Sequence, residues 1–313
     1  MGGERMNKKF SSFLITLVTL AMIVGPLLAT VQAKKPVVTE EDGYTQYVGT
    51  LGGANYVIRI PDEGWNGMLV VGCHGYMAGY WHPDAQFVMD NLVNGEGTSL
   101  PIALVEQGFA YAASSYGEGG WPVQKAMIRT HQLTEYVIDS YGVTGKVFLL
   151  GHSMGGNFVL LLGEKYPELY DGVLDSCGMK DVVDAYTNMA AVYYSPFWPP
   201  PGMPEPMQEF IKQAIEDWEA EFGGTYDKKP KAYEKKNPIS NAEISIPIIS
   251  VHGAQDPMMS SYQATVYGLA VDAAGCSEYY RIYTVDPGMH GDPPVIDEVL
   301  IRLWDLVDYP VGW

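Results

Sequence analysis

The chain has 313 residues, 47% of them hydrophobic, and carries 37 acidic against 19 basic side chains for a formal charge of −18. That apolar content supports one large or two smaller α/β domains and excludes a chain disordered over most of its length. So acidic a surface repels phosphate backbones and anionic lipid, which excludes nucleic-acid and membrane-surface binding as main roles and suits an enzyme of neutral substrates.

The first 33 residues read as a secretory signal: a basic start in "MNKKF", an apolar run from Phe13 to Ala29, and a small-residue end, "VQA", that predicts cleavage after Ala33. Cleavage would remove Arg5, Lys8 and Lys9 against Glu4 and leave a still more acidic product, secreted or held at the cell surface. An uncleaved membrane anchor is the alternative, because a run of about 17 residues lies at the short end of what spans a bilayer.

Beyond the signal, "YTQYVGTLGGANYVIRIP" alternates around a Gly-Gly turn and predicts a hairpin. Strands follow in "MLVVGCHG" and "GFAYAASS", then a helix over 123–141, a strand in "KVFLL" and a helix in "NFVLLLGEKY". After these come strands in "YDGVLDSC" and "IPIISVHG", a helix near 261–274, a strand in "EYYRIYTV" and a last helix near 296–307. Strands alternating with helices predict a mostly parallel sheet with helices on both faces.

Residues 184–241 break that rhythm, from the proline-dense "YSPFWPPPGMPEPM" through "QEFIKQAIEDWEAEF" to the lysine-rich "YDKKPKAYEKK". An insertion this long between strands is expected to be a cap over a binding site. The three cysteines, Cys73, Cys177 and Cys276, cannot all pair, and their spacing fits no zinc motif, so free and mostly buried thiols are expected.

"GHSMG" fits G-x-S-x-G between a buried-strand run and a helix, the context in which a strained turn presents a serine hydroxyl at the sheet edge. Ser153 is thus the candidate nucleophile. Serine needs a base, and the base needs an orienting carboxylate. Of six histidines, His290 follows the last strand in "TVDPGMHGDPP" and reaches the same edge; His152 adjoins the serine and is expected to point away from it. Asp256, just past a strand in "IPIISVHGAQDP", gives the order Ser, Asp, His, with Asp175 in "LDSCG" as the other candidate acid. Oxyanion donors are expected from the backbone N–H groups of Met154 and Tyr76, the latter in "HGY" after an early strand.

These motifs, in this order from about Thr45 onward, resemble the α/β-hydrolase superfamily, in particular its secreted esterase and lipase-like members. The resemblance implies an α/β-hydrolase fold: a mostly parallel sheet of about eight strands flanked by helices, with a helical cap over the active site. It implies a serine hydrolase cleaving carboxylic esters of small-molecule or polymer substrates through an acyl-enzyme, with no metal and no organic cofactor. "HGY" departs from the HGGG stretch of one lipase branch. His152 and Met289 stand where tannase-like and fungal feruloyl-esterase-like enzymes place cysteines, and the cap is short for a proline iminopeptidase-like enzyme.

Aromatic residues in "GYMAGYWH", "SSYGEGGWP" and "YYSPFWPP" make Tyr80, Trp81, Tyr116, Trp121, Phe197 and Trp198 candidates for a pocket accepting aryl or bulky apolar esters, with core packing as the competing role. Two other classes stay open: a serine peptidase whose cap acids Glu205, Glu209, Glu216 and Asp217 hold a substrate ammonium, and a non-catalytic binding protein of the same fold. The sequence leaves the oligomeric state open.

Overall fold

The computed structural model describes residues 35–78 and 87–309. The proposed signal, Tyr80 and Trp81 lie outside the described residues. Five strands, β4 (Leu69–Cys73), β5 (Ala110–Ser114), β6 (Val147–His152), β7 (Gly172–Ser176) and β8 (Ile248–Gly253), are buried at every position. That is the pattern of strands covered on both faces. β1 (Val37–Glu41), β2 (Tyr44–Leu51) and β3 (Ala54–Pro61) join them on one side, and β9 (Tyr280–Val285) on the other.

The order is β1-β2-β3-β5-β4-β6-β7-β8-β9. Pairing is antiparallel from β1 to β5 across β2 and β3, and parallel from β5 through β9. The described residues thus hold nine strands against an expected eight or so; the extra one is β1, whose fully exposed residues give no burial pattern to read.

Alternate residues along each strand feed two cores, as a period of two requires. Leu69, Val71, Leu149 and Val173 pack on one face with Leu133 and Val137 of α2 (Val123–Tyr141) and Phe158 and Leu162 of α3 (Met154–Lys165). Val70, Phe148, Leu150 and Leu174 pack on the other with Leu100 and Leu104 of α1 (Leu100–Glu106) and Val299 and Leu303 of α8 (Pro293–Val307). Truncating one such leucine to alanine costs about 2–5 kcal/mol. Between β7 and β8 the chain leaves the sheet for α4 (Val182–Tyr193), α5 (Glu205–Phe222) and α6 (Pro230–Glu234), the stretch read from sequence as a cap; α7 (Tyr262–Ala273) then links β8 to β9. Among the described residues no helix is long and apolar enough to cross a membrane.

From β4 the chain moves outward to β5 and then back across β4 to β6, so the strand order reverses at β4 and β6. In open α/β sheets ligands bind in the crevice at the carboxyl ends of such strands. "HGY" follows β4 and Ser153 follows β6.

Candidate active site

Ser153 links β6 to α3 with φ 57° and ψ −122°, a backbone shape unfavourable for any side chain but glycine's. Its carbonyl accepts from the amides of Gly156 and Met179, both at 3.0 Å, and its own amide donates to Ser176 of β7 at 3.1 Å, which fixes the turn. The hydroxyl makes no capping bond to α3. The glycines of the motif have a visible cause: a Cβ on Gly155 would overlap the Cys73 carbonyl oxygen of β4, and one on Gly151 would meet the Gly155 oxygen at 2.5 Å.

The loop after β4 lies against the serine, since a Cβ on Gly75 would stand 3.2 Å from Ser153 Cβ. Tyr76 follows. Its ring stacks on Trp121 at 5.3 Å and meets Phe210 edge-on at 5.6 Å, and its hydroxyl donates to Asp217 Oδ2 of α5 at 2.6 Å. The phenol therefore anchors the loop to the inserted helices.

The loops that carry Asp256 and His290 are backbone-to-backbone neighbours. Gly253 ends β8 so close to Gly288 that a Cβ would stand 2.5 Å from the Gly288 oxygen, while Ala254 and Gln255 amides donate to Val285 and Gly288 carbonyls at 2.8 Å. This docking brings His290 Nδ1 to 2.7 Å from Asp256 Oδ2. Asp256 has a side chain 0% exposed, and its Oδ1 accepts from the amides of Met258 at 2.8 Å and Met259 at 2.9 Å. Burial pushes this carboxyl up, but the bond and charge of His290 and the two amides more than offset it, and it is held below the usual carboxylate range.

Asp175 is committed elsewhere. Its Oδ2 pairs with the ammonium of Lys180, both side chains 0% exposed, and accepts from Ser250 Oγ at 2.8 Å. Lys180 Nζ donates in addition to the Gly178 carbonyl at 2.9 Å and contacts His252 Nε2 at 2.6 Å. An ammonium only donates, so Nε2 is the acceptor and the neutral ring carries its proton on Nδ1. Burial, then the Lys180 charge, hold His252 well below the usual histidine range. Donor atoms of Cys177, His252 and Asp256 converge within 4.8 Å, a set suited to a soft divalent cation. Of these, Asp256 is already bonded to His290, and His252 Nε2 is taken by Lys180 while its Nδ1 is buried without a hydrogen-bond partner among the described residues.

His152 is a contributor that the sequence reading set aside. Its ring centroid lies 4.8 Å from that of His290, and Nδ1 is 3.3 Å from Ser176 Oγ. A Cβ on Gly291 would meet its Cε1 at 2.6 Å, so the residue after His290 rests on this ring. Burial, then the His290 charge, push His152 down to about 3, so it packs beside His290 without titrating near neutrality. Nothing in "GHSMG" announces the role, because it depends on a loop 138 positions away.

The aromatic candidates scatter. Tyr116 is buried, stacked on His74 at 4.1 Å and edge-on to Phe158 at 5.5 Å, behind the β4 loop. Trp121 is sandwiched between Tyr76 and Trp218, 4.1 Å from the latter. Phe197 is 79% exposed, and Trp198 lies edge-on to Tyr193 at 5.2 Å. All three thiols are free: Cys73, which ends β4, and Cys177, just past β7 on the other side of β6, are buried, and Cys276 is half-buried.

Residues 102–248 match a family model described as "Putative esterase". No curated protein matches the chain. Among solved structures, the Pyrococcus furiosus esterase Pf2001 aligns at TM-score 0.59 and 15% identity over 90% of this chain and 98% of its own. The Pyrococcus horikoshii acylaminoacyl peptidase aligns at TM-score 0.58 and 12% identity over 99% of this chain, which spans 46% of that enzyme. A Mycobacterium tuberculosis puromycin-hydrolyzing peptidase aligns at 0.56 and 13% over 91% of this chain and 41% of its own. Sheet order, serine turn and these likenesses together show that the chain has the α/β-hydrolase fold.

Proposed function

We propose that the protein is an exported serine hydrolase of carboxylic esters. The observation that carries the reading is the 2.7 Å bond between His290 Nδ1 and the buried Asp256, on the same sheet edge as the strained Ser153 turn. Because Nδ1 is taken by Asp256, Nε2 is the nitrogen left to remove the Ser153 proton as the hydroxyl attacks the ester carbonyl. Amide N–H groups of Met154 and Tyr76 hold the oxyanion, and Asp256 stabilises the imidazolium. His290 then protonates the leaving alcohol, and water repeats the cycle on the acyl-enzyme. None of these steps calls for a metal or an organic cofactor.

A peptidase is the second reading, favoured by the peptidases among the structural neighbours and by a cavity of about 240 Å³ beside Trp121 that Glu118, Asp217 and Glu221 help to line. Those acids already have partners: Glu118 pairs with Lys125, Glu221 with Lys236, and Asp217 accepts from Tyr76 and Gln213. Glu205, Glu209 and Glu216 lie on the exposed face of α5, whose buried side is Ala214, Ile215, Trp218 and Phe222. Partnered and outward-facing acids favour the ester. A panel of p-nitrophenyl esters beside aminoacyl anilides tests this: ester turnover with slow anilide turnover is expected, and faster anilide cleavage would select the peptidase.

A further inference from the structure

The acidic chain gathers three lysines at one groove, far from the serine. Lys165 ends α3, and Lys235 and Lys236 follow α6. They border a cavity of about 400 Å³ whose apolar wall is Val123 and Met127 of α2 and Leu161 of α3. Lys236 is engaged, donating to Glu221 Oε1 at 2.6 Å. Lys165 lies over the Tyr166 ring at 4.9 Å, and neither Lys165 nor Lys235 pairs with a carboxylate among the described residues. Two cations without counter-ions at the rim of an apolar groove complement one kind of ligand, an anionic head on an apolar tail.

We infer that this groove binds a monocarboxylate with an aliphatic tail. The carboxylate would accept from Lys165 and Lys235, and the tail would lie on Val123, Met127 and Leu161; a volume of this order is within the usual small-molecule range. Glu164, also in the lining, does not oppose this. Burial, then the charge of Glu243, push its carboxyl up to about 7, so that near neutrality it is partly protonated and in that form can donate a hydrogen bond to the bound carboxylate. Leu161 to Lys165 lie 8–12 residues beyond Ser153, about 12–18 Å along α3, so the groove is separate from the catalytic edge. The Asn157 side chain, one turn from the nucleophile, donates to the Lys236 carbonyl at 3.1 Å and ties the groove's far wall back to α3. Acids of this class are also what the proposed ester hydrolysis releases.

Isothermal titration with dodecanoate tests the groove without turnover, so its result stands whether or not Ser153 cleaves esters. One site is expected in the wild type and in Ser153→Ala, with affinity reduced roughly tenfold or more in Lys165→Gln/Lys235→Gln. That double variant should hydrolyse esters as the wild type does. Undiminished binding in the double variant, equal binding of dodecyltrimethylammonium, or competition by a phosphonate bound at Ser153 would each overturn the assignment.

Discussion

Asp256 and His290 meet across 2.7 Å, although they are 34 positions apart in the chain, because β8 and β9 are adjacent and their loops dock through Gly253 and Gly288. Asp175 has a buried cation instead. The two carboxylates should therefore separate by experiment. Asp256→Asn should fold normally and lose about 10²–10⁴ in kcat, because the imidazole loses its orienting charge. Asp175→Asn should cost far less in kcat per folded molecule but lower stability by about 3–5 kcal/mol, because Lys180 is left buried without its partner. Urea unfolding beside active-site-titrated kinetics gives both numbers, and the opposite pattern would move the acid to β7.

His152 should matter to the base through shape rather than charge. His152→Phe keeps a ring beneath His290 and Gly291 and should retain kcat within a few-fold. His152→Ala should lower kcat about tenfold or more with KM little changed, since misplacing a catalytic group slows chemistry more than binding. A large loss in the phenylalanine variant alone would indicate that the imidazole itself takes part.

Stability should depend on pH through three buried histidines, His74, His152 and His252, all held below the usual range. Burial pushes His74 down to about 4, and burial with the His290 charge pushes His152 down to about 3, both from about 6.5. The unfolded chain therefore binds more protons than the fold below about 6.5, so stability is full above that pH and declines as pH falls toward 4 and 3. The midpoint urea concentration should drop between pH 6.5 and 4, and His74→Gln should flatten the decline. A midpoint unchanged over that range would contradict the burial of these rings.

The Tyr76 phenol should act on the loop, leaving the oxyanion to the backbone. Tyr76→Phe removes its bond to Asp217 and keeps the stack on Trp121, so kcat/KM should fall less than about tenfold. Loss on the scale of a missing oxyanion donor, about 10²–10³, would mean that the hydroxyl itself contacts the reacting oxygen.

Much of this arrangement was legible because its signals are local. Continuous apolar runs gave the buried strands, the expected helix over 123–141 coincides with α2, and G-x-S-x-G announced the turn at Ser153. Positions just past strands, with chain order, made His290 the candidate base and left Asp256 and Asp175 as candidate acids, and it is Asp256 that hydrogen-bonds His290. What stayed hidden depends on contacts between distant segments: the His152 ring under His290, Lys180 drawing Asp175 away, and Tyr76 reaching α5. β1 escaped because an exposed edge strand carries no hydrophobic alternation. Aromatic residues near loop ends could not be sorted by sequence, since Tyr116 in the core and Phe197 in solvent have similar neighbourhoods of glycine and proline.

The central claim, that Ser153 is the nucleophile, is tested most directly by reaction with a fluorophosphonate followed by peptide mass spectrometry. The account predicts one adduct, on Ser153, and none in Ser153→Ala, which should remain folded while ester hydrolysis falls by roughly 10⁴-fold or more. An adduct on another serine, or unchanged hydrolysis in the alanine variant, would contradict it.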